Sequence, residues 1–232
     1  MYAASSIGHD QAVQMLLDKG ADVNARGGRF GNALQAASGE GHDQVVRMLL
    51  DKGADINAQG GFHGNALQAA LERGHGQVVR MLLDKGADIN AQSGVYGTAL
   101  YAASSSGYDQ GAQMLLDNGA DVNAQGGFYG NGLRAASEGG HGQVVRRLLD
   151  KGADVNAQSG VYGTALYAAS SRGHDQVVQM LLDKGADVNA PGGRFGNALR
   201  AASEEGHDQV VRMLLDKGAD VEAQGGEYGN AL

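Results

Sequence analysis

Cysteine and tryptophan are absent from this chain of 232 residues, and proline occurs only once. Without cysteine there is neither a disulfide framework nor a thiolate for metal binding or catalysis, which favours a reducing, cytoplasmic location. The N-terminal sequence MYAASSIGHDQAVQ lacks the basic segment and apolar core of a signal peptide. No apolar run approaches the ~20 residues that a membrane helix needs, so we expect no membrane partner.

Positive charge is also in short supply. The formal net charge is −8 at pH 7. General binding to nucleic acid depends on neutralising phosphates with lysine and arginine, so this charge disfavours a nucleic-acid partner.

The chain does contain one stretch that returns at a fixed interval, HDQVVRMLLDKGADINAQGG at residues 42–61. Close copies begin every 33 residues, at His9, His75, Tyr108, His141, His174 and His207. A fixed period of this length predicts a stacked repeat architecture, in which the chain grows by adding similar segments.

The repeat at residues 31–63 predicts two short helices and a glycine-rich hairpin or loop. Asn32 stands where an N-cap is expected, before a first helix at 33–40, and Gly41 ends that helix. Thr98 and Thr164 are the expected N-caps of their own repeats. The second helix, at 43–52, carries a broad apolar stripe. Helices this short are not stable alone in water, so each repeat must be covered by the next one.

The segment GHDQVVRMLLDKGADINA resembles the G-H-x-x-V-V-x-L-L-L-x-x-G-A-D-V-N-A half of the ankyrin repeat. The resemblance implies an all-α ankyrin-repeat solenoid, elongated and curved, with a helix-turn-helix and a hairpin or loop in each 33-residue unit. It covers 1–232 as a single array, with repeats at 1–30, 31–63, 64–96, 97–129, 130–162, 163–195 and 196–228 and a partial one at 229–232. The GNALQAAS variant is similar to ankyrin tracts of filamentous fungi, which are often attached to NACHT-type, NLR-like signalling proteins.

The two ends of the chain lack polar capping repeats. Met1 stands at the position of Leu34, and Leu232 is the first core leucine of an unfinished repeat. Repeat arrays normally need capping repeats for solubility. We therefore expect either a fragment of a longer array or end-to-end self-association.

Positions that differ between the copies are free for recognition, whereas identical positions serve the stack. One variable column lies on the first helix and another at the hairpin. From these columns we predict partner-binding residues Gln35, Gln68, Tyr101, Arg134, Tyr167 and Arg200, with Arg29, Phe62, Phe128 and Arg194 at the hairpins. The ankyrin resemblance implies that they line the concave face and the hairpin tips. Aromatic residues and arginine are common anchors of protein interfaces.

Two alternatives bear on these columns. The second hairpin position is aromatic in every repeat, and such uniformity indicates a ring that packs on the next hairpin rather than one that binds a partner. In the first-helix column tyrosine and arginine alternate, and this alternation also fits a groove that binds a small molecule with a carboxylate or phosphate, or that catalyses a reaction on it.

The repeat pattern does not support a metal site or a catalytic site. The repeated histidines would lie roughly 10 Å apart in stacked repeats, too far to share one metal ion; they suit bonds to loop backbone. We expect no metal site, cofactor or catalytic residue, and therefore no enzyme. The chain is predicted to be a scaffold that binds another protein, with a small-molecule groove or a structural, self-assembling spacer as alternatives.

One repeat, 97–129, departs from the others. Gly111 and Ala112 replace the usual pair of valines, and Tyr108 replaces histidine. Glycine inside a helix and lost apolar volume both reduce stability. The sequence therefore predicts that this repeat is the least stable of the array.

Overall fold

The computed structural model describes residues 1–126, 130–159, 163–194 and 196–223. The chain divides into two compact units, an N-terminal one formed mainly by Met1–Asp121 and a C-terminal one formed by most of the chain after it. Each unit consists of short helices in pairs. In the N-terminal unit a short antiparallel hairpin or bridge follows each of the first three pairs.

The elements follow the predicted order closely. The N-terminal unit contains α1 (Tyr2–Ser6), α2 (Asp10–Asp18), β1 (Arg26–Gly27), β2 (Gly31–Asn32), α3 (Ala33–Gly39), α4 (Asp43–Asp51), α5 (Ala66–Glu72), α6 (Gly76–Asp84), α7 (Ala99–Ser105) and α8 (Asp109–Asp117). Next in the chain is β3 (Gln125–Gly126). The C-terminal unit contains β4 (Gly130–Asn131), α9 (Gly132–Glu138), α10 (Gly142–Asp150), α11 (Ala165–Ser171), α12 (Asp175–Asp183), α13 (Ala198–Glu204) and α14 (Asp208–Asp216).

In each unit the helices form two layers. The first helices of successive pairs pack side by side, α1 on α3, α3 on α5 and α5 on α7, and likewise α9 on α11 and α11 on α13. Every residue of α3 is buried, which small side chains such as Ala36 and Ala37 allow. Neighbouring first helices, the paired second helix and the hairpin cover all sides of α3.

The second helices present only one face to the core. In α4 the buried residues are Val45, Val46 and Leu49, whereas Arg47 and Asp51 are exposed. Burying apolar area of this kind contributes roughly 25 cal/mol per Å² and is the main force that joins adjacent repeats.

The predicted N-caps are confirmed. The Asn32 side chain accepts a hydrogen bond of 2.8 Å from the backbone N–H of Gln35. Thr98 accepts one of 3.1 Å from the N–H of Tyr101, and Thr164 has the same role in its repeat. These bonds satisfy N–H groups that a helix start leaves unpaired, at positions where the residues are buried.

Polar bonds also link each repeat to the next. The Asn24 side chain accepts a hydrogen bond of 2.8 Å from the N–H of Asp55. One repeat further on, the Asn57 side chain accepts the same bond from the N–H of Asp88. His42 Nε2 lies 3.2 Å from the carbonyl oxygen of Ser6, the last residue of α1. This histidine therefore bonds backbone, as predicted, but at the end of a helix and not in a loop. Because both bonds repeat along the chain, they fix the register of one repeat on another.

In the irregular repeat Gly111 lies beside larger side chains, and the low stability of this repeat stays a prediction. A Cβ added at Gly111 would overlap the ring of Tyr108 and come within 2.8 Å of Leu71 Cδ2. Leu71 stands where most repeats have serine. A Cβ added at Gly76 would overlap the Tyr108 hydroxyl, so that glycine also makes room for the ring. Gly111 therefore accommodates two larger neighbours instead of leaving a void.

Most repeats have valine at the position of Gly111, so introducing valine there tests whether the space is already filled. We expect Gly111→Val to lower the thermal midpoint, because overpacking a filled core costs about 1–3 kcal/mol. Adding Tyr108→His and Leu71→Ser should recover most of the loss. The measurement is thermal unfolding followed by circular dichroism.

The matched control is Val78→Gly at the equivalent position of the preceding repeat, where a cavity should lower the midpoint. A higher midpoint for Gly111→Val alone would contradict the packing described here.

Candidate binding surface

The hairpin tips of the N-terminal unit are joined to one another through their backbones. The N–H of Phe62 donates to the carbonyl oxygen of Arg29 at 3.2 Å, and the N–H of Val95 donates to that of Phe62 at 3.2 Å. We call Arg29, Phe62 and Val95 the tip row. Because each tip is bonded to the next, the three side chains occupy fixed positions on successive hairpins.

The tip row exposes apolar and cationic groups to solvent. Phe62 is 44% exposed and Val95 41% exposed. Arg29 is also exposed, and its Cζ lies 5.6 Å from the centroid of the Phe62 ring. This cation–π arrangement holds the guanidinium over the ring while its hydrogen-bond donors stay available.

Beneath the tip row, the second hairpin positions form a packed layer of rings. The Phe30 ring stacks on His63 with a centroid separation of 4.9 Å. The Phe62 ring meets His63 edge-on at 5.2 Å and Tyr96 edge-on at 6.3 Å. The predicted packing of this column on neighbouring hairpins is confirmed for Phe30, His63 and Tyr96. Its other aromatic members, Tyr129, Tyr162, Phe195 and Tyr228, lie outside the described residues.

Glu72 is the polar centre of this ring layer. One of its carboxylate oxygens bonds His63 Nδ1, and the other accepts a hydrogen bond of 2.6 Å from the Tyr96 hydroxyl. Burial alone would raise the pKa of Glu72, but the hydrogen bonds from His63 and Tyr96, with the charges of His63 and Arg73, hold that pKa below its ordinary value of 4.5. Burial and the bond to Glu72 raise the pKa of Tyr96, so its hydroxyl remains a donor.

The first-helix residues predicted to bind a partner are buried, which corrects the expected open groove. Gln35 and Gln68 lie fully in the interior. Gln35 Nε2 donates to the carbonyl oxygens of Ala58 and Gly64, both at 3.0 Å, and Gln68 Nε2 donates to Gly97 at 2.9 Å. These amides satisfy backbone groups of the next hairpin, and buried carbonyls need such partners.

The tyrosines of the same column are buried for a related reason. Tyr101 is 5% exposed, and Tyr167 is also buried. A Cβ added at Gly193 would overlap the Tyr167 ring, and one added at Gly28 would overlap Tyr2. The hairpin glycines thus let the backbone lie directly on the phenol rings, and Gly193 has a φ of +75° that glycine adopts without strain.

Arg134 and Arg200 complete the buried column, at 5% and 2% exposure. Arg134 Nη1 forms an ion pair of 3.0 Å with Glu138, one turn further along α9. A buried guanidinium requires such a partner. The tyrosines and arginines of this column are therefore buried and form no exposed row of anchors in the described residues.

Of the four predicted hairpin residues, Arg29, Phe62 and Arg194 are exposed in the structure. Phe128 lies outside the described residues. Val95 was not among the predicted binding residues, although its place in the variable hairpin column was the signal that could have identified it.

The second helices form a different surface, built from charged residues. Lysines that end these helices pair with aspartates one repeat earlier, as in Lys52 with Asp18 at 3.6 Å and Lys184 with Asp150 at 2.9 Å. Between α4 and α6 lies an open groove of about 450 Å³, lined in part by Arg47 and Arg80. Exposed ion pairs of this kind stabilise little.

None of the described helices is long and apolar enough to cross a membrane. In the described ranges no group of three or more His, Cys, Asp or Glu residues could hold a metal ion.

The pKa of Glu72 generates a prediction about acid stability. Because that pKa is lowered on folding, Glu72 stabilises the folded state above pH 4.5, and this stabilisation is lost as pH falls through the lower folded value. We expect Glu72→Gln to lower the thermal midpoint near neutral pH and to flatten its fall in acid. Thermal unfolding measured across that pH range is the readout.

Glu40→Gln is the matched control, since Glu40 pairs with the exposed Arg73 at 2.8 Å on the neighbouring repeat. We expect that variant to change the midpoint little at neutral pH. If the thermal midpoint of Glu72→Gln falls with acid as steeply as that of the unmodified chain, the assigned role of Glu72 is wrong.

Comparison with known proteins bears on the fold as a whole. A family model described as "Ankyrin repeats (3 copies)" matches residues 1–93, 34–126 and 133–225. The crystal structure of the human ASB11 ankyrin repeat domain has a TM-score of 0.76 and 25% sequence identity, over 85% of this chain and 89% of that one. It is one of 608 matching chains of solved structures, so the likeness does not depend on a single case. A comparison with curated proteins found no match.

Proposed function

This chain belongs to the ankyrin repeat family, whose domains typically serve as scaffolds for protein–protein interaction, and from that premise we propose that it binds another protein through its hairpin tips. The family fold is typically non-catalytic. We propose accordingly that the chain acts by binding and not as an enzyme.

The observation that carries the proposal is the contrast between Phe62 and the other rings around it. Phe30, His63 and Tyr101 are each less than a tenth exposed, whereas Phe62 is 44% exposed. The Phe62 ring contacts His63 and Tyr96 edge-on, yet much of its surface stays open to solvent beside Arg29 and Val95. Residues of these kinds, held rigidly before binding, are suited to anchor a partner at little entropic cost.

The proposed surface consists of the tip row, with Arg194 as a further candidate in the C-terminal unit. The first-helix column of Gln35, Gln68, Tyr101, Arg134, Tyr167 and Arg200 is buried. Gln35, Gln68 and Tyr167 contribute indirectly, because they contact the backbone of the next hairpin. A small-molecule groove at that column would require the hairpins to move away, so we do not favour it.

The number and setting of the repeats are part of the same proposal. The fourteen described helices, taken in pairs, support seven repeats within one array over 1–232. Because GNALQAAS is similar to ankyrin tracts of filamentous fungi, we propose that the array belongs to a NACHT-type signalling protein.

A photo-crosslinking amino acid placed at Phe62 tests the surface. After irradiation in an extract of the source cell, we expect a partner polypeptide to be joined to the chain at this position. The product should be lost when Val95→Ala is added, because that change removes neighbouring apolar area from the tip row. Denaturing gels and mass spectrometry are the measurements.

The matched control carries the same crosslinker at Met15, which is 63% exposed on α2. Equal labelling at both positions would show non-specific capture. Labelling at Met15 without labelling at Phe62 would refute the hairpin tips as the binding surface.

A further inference from the structure

The charges around the tip row are sorted in an unusual way for an acidic chain. Every aspartate of the chain lies in a second helix or in the turn directly after one, away from the hairpin tips. The first hairpin instead carries Arg26 and Arg29, both exposed. The tip row therefore has positive charge on a protein whose net charge is −8.

The two glutamates of the N-terminal unit do not neutralise this charge. Glu40 forms its ion pair with Arg73, and Glu72 bonds His63 and Tyr96 in the ring layer. Among the described residues, neither Arg26 nor Arg29 has a carboxylate within ion-pair distance. Both guanidiniums are therefore available to an external anion.

From this sorting we infer that the tip row binds an acidic polypeptide segment that carries an apolar side chain next to a carboxylate. The carboxylate pairs with Arg29, and the apolar side chain packs on Phe62 and Val95. This inference rests on the proposed function and adds the chemical class of the partner.

The geometry favours this arrangement. The Arg29 guanidinium lies over one end of the tip row, 5.6 Å from the centroid of the Phe62 ring. A planar guanidinium offers paired donors that match a carboxylate, and contact with an aromatic ring restricts where that guanidinium lies. The backbone bonds from Phe62 to Arg29 and from Val95 to Phe62 fix the apolar positions beside it.

A nucleic acid is the less suitable occupant. Affinity for nucleic acid grows with the number of phosphates neutralised, and the first hairpin provides only two arginines on a chain of net charge −8. A protein segment needs fewer charges, because apolar contact with Phe62 and Val95 supplies the rest of the affinity.

The experiment is a selection from a random peptide library displayed on phage, performed with the full chain. We expect the recovered peptides to be enriched in Asp and Glu next to Leu, Ile or Phe. One recovered peptide is then synthesised with a fluorophore, and its affinity is measured by anisotropy at increasing salt. Affinity should fall as salt rises, because an exposed charge pair is screened.

Variants of the chain test whether the peptide binds at the tip row. Arg29→Glu should weaken binding by about tenfold or more, since it replaces attraction by repulsion, and Phe62→Ala should weaken it about tenfold. The matched control is Arg47→Glu, an exposed arginine on α4 in the same unit. This control should leave the affinity unchanged.

The possible outcomes separate the two proposals. Peptides without acidic enrichment, or acidic peptides that bind Arg29→Glu as well as the unmodified chain, overturn this inference and leave the proposed function standing. Failure to recover any peptide, together with no crosslinked partner at Phe62, overturns both. Tighter binding of a single-stranded oligonucleotide than of the acidic peptide, with the same loss in Arg29→Glu, also overturns the inference.

Discussion

Burial of each repeat against the next is the interaction on which this structure depends. Helices of five to nine residues are too short to persist alone. Apart from α1, the first helices overcome this by burying nearly all of their surface, which small residues such as Ala36 and Ala37 allow. The asparagine and histidine bonds between repeats then select one register among those that apolar burial would allow.

Close packing also explains why polar residues occur inside the first helices. The hairpin backbone lies over these helices, and its carbonyl groups are removed from water. Gln35 and Gln68 satisfy such carbonyls, whereas Tyr167 fills the space left by a hairpin glycine. Variation at this column therefore reflects several ways to support a hairpin. The backbone bonds between successive hairpins hold the exposed tip row in place, which is what the proposed binding requires.

The effect of a residue that departs from the repeat pattern depends on the residues packed against it. Gly111 alone suggests a weak helix, and Leu71 alone suggests an extra apolar residue. In the structure both adjoin the ring of Tyr108, so the three substitutions form one packed group across two repeats. A change of volume in a close-packed core is tolerated when adjacent residues change in compensation.

The sequence by itself determined the period, the order of the elements, the N-caps at Asn32, Thr98 and Thr164, and the packing role of the rings at Phe30 and Tyr96. These features are local, or they repeat identically, so one copy is enough to reveal them. Only the tertiary structure decided that Gln35, Tyr101 and Arg200 are buried and that Phe62 and Val95 are exposed. The exposure of a side chain depends on whether the backbone of the next repeat lies over it. Sequence variation between the copies does not show which side chains are covered in this way.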